Sequence, residues 1–254
     1  LGGLALETIL DADMKYAVLG LGLFAAAYSL YGGLSAVAWT DIIQVFFLIL
    51  GGIVTTYLAL DTVSGGQGAI EGFKTIYNAV PEKFDMILSP DNPSYTNLPG
   101  IWILIGAGVW IGHFAYWGFN QYITQRALGA KSLHEAQKGI MFAAYLKLLM
   151  PLVIVLPGIC AAILFPLLEK SDQAYPSMMT LLPSGLLGLT FAALIAAIVS
   201  SLASMTNSIS TIFTMDVYKT FTKDMPSQTK LVKIGRTAVI TSLIIAVIAA
   251  KPLL

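Results

Sequence analysis

Apolar residues along this chain gather into long blocks and do not alternate with polar ones. Uncharged stretches cover 16–40, 42–60, 92–125, 173–215 and 237–250, and the stretch 139–168 holds a single charge, Lys147. A helix that crosses a bilayer needs roughly 20 apolar residues. The pattern therefore predicts six spanning helices, near 15–33, 41–60, 99–125, 134–166, 183–216 and from 236 onward. The blocks are rich in Leu, Ile, Ala and Gly and lack a period of two, which favours helices over a membrane barrel. The expected fold class is all-α and integral to the membrane, as one transmembrane domain over residues 1–254. The segment 69–80 has the spacing of a short amphipathic helix on the outer surface, or it forms an irregular cap.

Charge gives the blocks a direction. Arg126, Lys131 and Lys138 sit between the third and fourth predicted helices, and Lys219, Lys223, Lys230, Lys233 and Arg236 between the fifth and sixth. The segments 61–98 and 167–182 are weighted instead to Asp and Glu. Because Lys and Arg accumulate on the cytoplasmic side, the loop 126–138 is expected inside and the loop 61–98 outside, with Asp41 at the cytoplasmic end of the second helix. Composition agrees: 57% of residues are hydrophobic and 11% charged, against about a quarter charged in soluble domains. The 14 basic and 14 acidic residues cancel, so no net field points to nucleic acid, and the bilayer is the expected partner. Cys160, the single cysteine, reads as a small core residue. The chain opens on Leu1-Gly2-Gly3 and stops at Leu254 inside an apolar stretch, so both ends are expected to be cuts in a longer protein.

The predicted spans bring His113, Lys147 and Ser200-Ser201 to similar depth near the bilayer centre. An ionisable group there is costly and tends to face a partner or a polar cavity. Lys147 either snorkels to an interface from a kinked helix or faces a lined cavity. The nine residues from Lys138, about 13 Å of helix, strain the first reading. Pro151 lacks the N–H that would bond the Lys147 carbonyl. Gly106, Gly108, Gly112 and Gly118 weaken the third helix, either for close packing or for an interrupted helix that lets a ligand reach the backbone. Tyr116 and Trp117 lie too deep for an interfacial belt; they pack in a core or offer faces on which a sugar ring stacks. Ala197, Ser200 and Ser201 stand at i, i+3 and i+4 on one face. Their hydroxyls and carbonyl either bond neighbouring turns or supply part of an oxygen shell for a hard cation such as Na⁺. Asp41, after Trp39-Thr40 and before an apolar run, reads as a helix N-cap or as a carboxylate facing an inner vestibule.

Five stretches together resemble the sodium/solute symporter family, and within it the sodium/glucose–galactose branch. They are Tyr28 to Ala36 (YSLYGGLSA), Trp39-Thr40-Asp41, Tyr116 to Tyr122 (YWGFNQY) with Gln125-Arg126, Ala136 to Gly139 with Leu146-Lys147, and Ala197 to Met205 (AIVSSLASM). They run in order through nearly the whole chain. The resemblance implies the five-plus-five inverted-repeat transporter fold, with this chain similar to core helices four through eight and the start of nine. It implies alternating access, with sugar and Na⁺ bound near the membrane centre of a multi-pass cell-membrane protein. By the same resemblance Tyr116 is the aromatic inner gate, Trp117 its neighbour and Lys147 a sugar ligand. Ala197, Ser200 and Ser201 are sodium ligands, and Asp41 is an acidic group on the cation path. His113 departs from the asparagine of galactose-transporting members, and Ala115 from a tyrosine.

The leading expectation is a Na⁺/monosaccharide symporter. The alternatives are Na⁺-coupled uptake of a polyol, amino acid or organic acid, and a membrane sensor or channel that binds without coupled transport. No nucleophile, base and metal-ligand set converges in these helices, which argues against an enzyme.

Overall fold

The computed structural model describes residues 2–96, 100–106, 108–222 and 226–250. Among them every regular element is helical. The chain divides into two compact units, residues 1–58 with 151–254, and residues 59–150.

In the first unit, α1 (Gly2–Leu10) leads into α2 (Met14–Val63), whose helical hydrogen bonding continues through both of the first two predicted spans. Fifty residues of straight helix would measure about 75 Å, and residues twelve apart would stand about 18 Å apart. Yet the hydroxyls of Tyr28 and Thr40 hydrogen-bond to each other, so α2 turns back on itself between them. Both arms pack on α10 (Ser184–Ile212), in opposite senses. Along the first arm Leu21 and Ala25 pack with Val199 and Ile198, and Ser29 donates to Asn207 at 2.8 Å. The numbers on the two helices rise together. Along the second arm Asp41 meets Ser200, and Gly51 lies so close to Thr190 that a Cβ would collide with its side chain. Here one set of numbers rises while the other falls. The two predicted spans thus survive as two arms, Met14–Tyr31 and Ala38–Val63.

A π-helical turn at Pro151–Val155 precedes α8 (Leu156–Leu164), which leads to α9 (Ala174–Met179). The Thr56 hydroxyl of the second arm donates to the Leu152 carbonyl at 2.7 Å, within this proline-disturbed turn. Outside the spans, burial raises the Tyr175 phenol above its ordinary pKa and keeps it protonated. Beyond α10 the helix widens into a π segment, Phe213–Tyr218, and ends in α11 (Lys219–Phe221). The next helix, α12 (Gln228–Ala250), begins eight residues before the predicted start at 236 and packs on α10, where Ser210 donates to the Gly235 carbonyl at 2.9 Å.

The second unit starts at the end of α2 with a turn that only glycine forms without strain. Gly65, Gly66 and Gly68 have φ of 69°, 86° and 95°, and the Asp61 carboxylate accepts from Gly68 N at 2.9 Å. The expected amphipathic helix follows as α3 (Ala69–Ala79), with Ile76 buried and Phe73, Tyr77 and Phe84 in mutual ring contact. The predicted span 99–125 is corrected. It is broken into α4 (Ile101–Ile105), α5 (Gly108–His113), a π segment Phe114–Phe119 and α6 (Gln121–Leu128). Glycine at 106, 108, 112 and 118 weakens helix throughout, and Asn120 leaves the helix in an extended conformation to cap α6, its Oδ1 accepting from Tyr122 N at 3.1 Å. The unit continues through α7 (Leu133–Lys147) to Met150.

Among the described residues five helices, not six, have the length and apolarity to cross a membrane: the two arms of α2, Leu133–Leu164, Ser184–Phe221 and Gln228–Ala250. Within an apolar 18-residue stretch of each, only 17–28% is buried within the chain. Most of their surface therefore faces something other than this chain, which for such apolar faces means lipid or further helices.

Candidate functional site

The site residues fall into two sets, one in each unit. In the residue 59–150 unit, Tyr116 and Trp117 lie in the π segment Phe114–Phe119. Such wide turns are rare, and often functional, because they sacrifice regular packing to re-aim side chains. The two rings meet edge to face with centroids 5.1 Å apart. Lys147 is the last residue of α7, where the helix dipole favours a cation, and its ammonium stands 4.3 Å from the centroid of the Trp117 ring. Lys147, Tyr116 and Trp117 are all exposed within this chain. Beside them a groove of about 780 Å³ runs along α7, lined by Gly139, Ala143 and Ala144, with Arg126 and Glu135 toward the opposite end of that helix.

The groove is mostly apolar, with the ammonium and the indole side by side. That combination suits a polyhydroxylated ring, whose C–H face stacks on an aromatic and whose hydroxyls accept from a cation. His113, at the end of α5, is exposed and makes no hydrogen bond or ring contact among the described residues. The structure thus brings Tyr116, Trp117 and Lys147 together and leaves His113 outside that contact set. Arg126 and Glu135 as groove residues escaped the sequence reading; the signal available was only their charge at the ends of α6 and α7.

In the other unit, Ala197, Ser200 and Ser201 share a face of α10. Ser200 is buried and its hydroxyl donates to the Asp41 carboxylate. The Asp41 carboxylate reaches across to α10, and α2 is helical on both sides of it.

The donors fit a hard monovalent cation. They comprise a backbone carbonyl with a second lone pair, two hydroxyl oxygens and one adjacent carboxylate, with no soft ligand among them. Because Ser200 gives its proton to Asp41, its oxygen keeps lone pairs for another partner. The polar face continues two turns along α10. Ser204, Thr206 and Ser208 are buried, Thr206 donates to Ser29 at 3.3 Å, and Ser29 donates to the Asn207 carbonyl oxygen. Among the described residues, the Asn207 amide nitrogen and the Ser208 hydroxyl are buried without a partner. These residues were also missed, although Ser200, Ser204 and Ser208 recur every four residues and could have been found by that spacing.

The profile of the sodium:solute symporter family matches residues 1–253. The chain is 53% identical to the sodium/glucose cotransporter of Vibrio parahaemolyticus, over all of this chain and 50% of that protein. It is 33% identical to the human sodium/myo-inositol cotransporter 2, over 97% of this chain and 40% of that one. The chain thus spans about half the length, or less, of these curated relatives. Among solved structures, the substrate-bound outward-open state of a Na⁺-coupled sialic acid symporter matches 99% of this chain and 54% of its own, with a TM-score of 0.82 at 24% identity, a likeness of fold.

Proposed function

Since the chain belongs to the sodium:solute symporter family, we propose that it forms the central part of a multi-pass cell-membrane protein that couples Na⁺ entry to uptake of a galactose- or glucose-like monosaccharide. The all-helical membrane fold is that of a five-plus-five inverted-repeat transporter, and alternating access is the mode of transport that suits it.

The observation that carries the sugar reading is the Lys147 ammonium over the Trp117 ring, with Tyr116 edge-on beside it. In this reading Trp117 and Tyr116 give the sugar apolar faces, Tyr116 closes the site toward the inside, and Lys147 donates to sugar hydroxyls. His113 offers one donor and one acceptor, as an amide side chain can, but in a larger rigid ring, and sets which sugar is preferred. Ala197, Ser200 and Ser201 hold the cation and Asp41 stands on its path. Bound there, Na⁺ supplies the charge and the gradient that drive uptake; the residues themselves favour one conformer. When two ligands favour the same conformer, each must raise the affinity of the other.

The identity to a sodium/glucose cotransporter supports this reading. A polyol is the second reading, favoured by the likeness to a sodium/myo-inositol cotransporter and left open by the histidine at 113. Uptake by the full-length protein, driven by an imposed Na⁺ gradient and measured over a panel of labelled sugars and inositols, tests both. Galactose or glucose accumulated against its gradient is the expected result. Accumulation of inositol alone would favour the polyol, and binding without uphill uptake would overturn symport.

A further inference from the structure

We propose that the junction between the α10–α11 helix and α12 is a binding site for the headgroup of an anionic phospholipid. From Lys219 to Arg236 the sequence holds five basic residues against one acid, Asp224. Tyr218 and Lys230 draw the two sides of the junction together, the Lys230 ammonium lying 5.9 Å from the Tyr218 ring centroid. This sets Lys219, next to Tyr218 in the chain, near the start of α12. Lys230, Lys233 and Arg236 follow one another at intervals of three along α12, and all three are exposed. Among the described residues, none of these four cations has a salt bridge, and Asp216, one turn before Lys219, pairs with none of them.

The placement is electrostatically unfavourable as it stands. Lys230 stands in the first turn of α12, which contains no acid, so it meets the positive end of the helix dipole, and Lys230, Lys233 and Arg236 repel one another at intervals of three. A bound anion relieves both. Depth selects a lipid as its source: Ser184–Phe221 and Gln228–Ala250 are membrane-length helices that end and begin here, and the uncharged stretch 237–250 starts directly after Arg236. The cations therefore stand where an apolar span emerges among headgroups, the level at which phosphate diesters lie. A topology signal alone needs positive charge in the loop. It does not need the aromatic contact that holds Lys230 against Tyr218.

The test uses the full-length protein in nanodiscs holding equal amounts of phosphatidylglycerol and phosphatidylcholine, with the lipid retained after detergent extraction quantified by mass spectrometry. Wild type should retain phosphatidylglycerol in excess. Lys230→Gln with Lys233→Gln should lower that excess by about fivefold per charge removed, whereas Lys230→Arg with Lys233→Arg should keep it. The excess should also fall as salt is raised, because exposed charges are screened. Equal retention of the two lipids by wild type, or an unchanged excess in the glutamine variant, overturns the proposal. Displacement of the lipid by inorganic phosphate at equal concentration would make this a general anion site and overturn the lipid assignment. Should the glutamine variant fail to insert, the salt titration of wild type decides, since an excess indifferent to salt is incompatible with the site.

Discussion

Ser200 on α10 and Asp41 on the second arm of α2, 159 residues apart in the chain, are joined by a hydrogen bond from the serine hydroxyl to the carboxylate. The bond ties the proposed cation ligands to the arm that runs antiparallel to them. Truncating Ser200 removes a proposed cation ligand and takes one donor from the carboxylate, a loss of about 1–3 kcal/mol for a buried polar group. Ser200→Ala and Ser201→Ala are expected to raise the Na⁺ concentration for half-maximal uptake. Sugar affinity should fall at low Na⁺ and recover at high Na⁺, as reciprocal linkage requires. Asp41→Asn, which keeps an acceptor for Ser200 and removes the charge, should raise the Na⁺ requirement with less loss of folded protein. Uptake against Na⁺ at several sugar concentrations, normalised to surface protein, measures all three. A wild-type Na⁺ curve in the Ser200→Ala, Ser201→Ala double variant would remove sodium from this face.

Lys147 and Trp117 should act on sugar and not on sodium. Lys147→Ala deletes a charge-assisted donor worth roughly 1.5–3 kcal/mol, so apparent sugar affinity is expected to fall at least tenfold even at saturating Na⁺. That failure to recover at high Na⁺ distinguishes it from the serine variants. Tyr116→Phe keeps the ring and should be mild, while Tyr116→Ala should abolish uptake. Unchanged sugar affinity in Lys147→Ala would take the lysine out of the site.

Among the described residues the His113 side chain has no hydrogen bond or ring contact with that pair, so its effect is expected on choice of substrate. His113→Asn should shift the ratio of galactose to competing sugars and inositols while leaving the Na⁺ dependence nearly as it was. Competition uptake over the panel reads this out, and an unaltered profile would reduce His113 to a surface residue of α5.

Topology can be checked at the turn before α7. Ser132 caps that helix, its hydroxyl accepting from Glu135 N at 3.3 Å, and losing such a cap costs about 1 kcal/mol. The neighbouring Lys131 is exposed and is the better position for a probe. Cysteine at Lys131, with Cys160 replaced by Ala, is expected to react with impermeant reagents only from the cytoplasmic side. Labelling from outside in sealed cells would invert the orientation.

The sequence by itself determined that the chain is a set of membrane-length helices, because apolar length and helix propensity are local properties that no distant contact has to supply. It also located the weak third helix, since glycine and Asn120 act on their own backbone. Tertiary structure decided where residues far apart meet. Whether α2 has one axis or two arms depends on Tyr28 reaching Thr40 and on both arms finding α10. Asp41 illustrates the difference: its local setting is that of a cap, but the fold lays the start of the second arm against α10, where its carboxylate accepts from Ser200. Lys147 likewise carried a cost that the sequence could state without showing what offsets it; the ring of Trp117, thirty positions earlier, comes beneath it only because the π turn and the α6–α7 hairpin fold that way. Helices are written in neighbouring residues, whereas pairings between them are settled by packing, which depends on the angle and register of each pair and so on the chain as a whole.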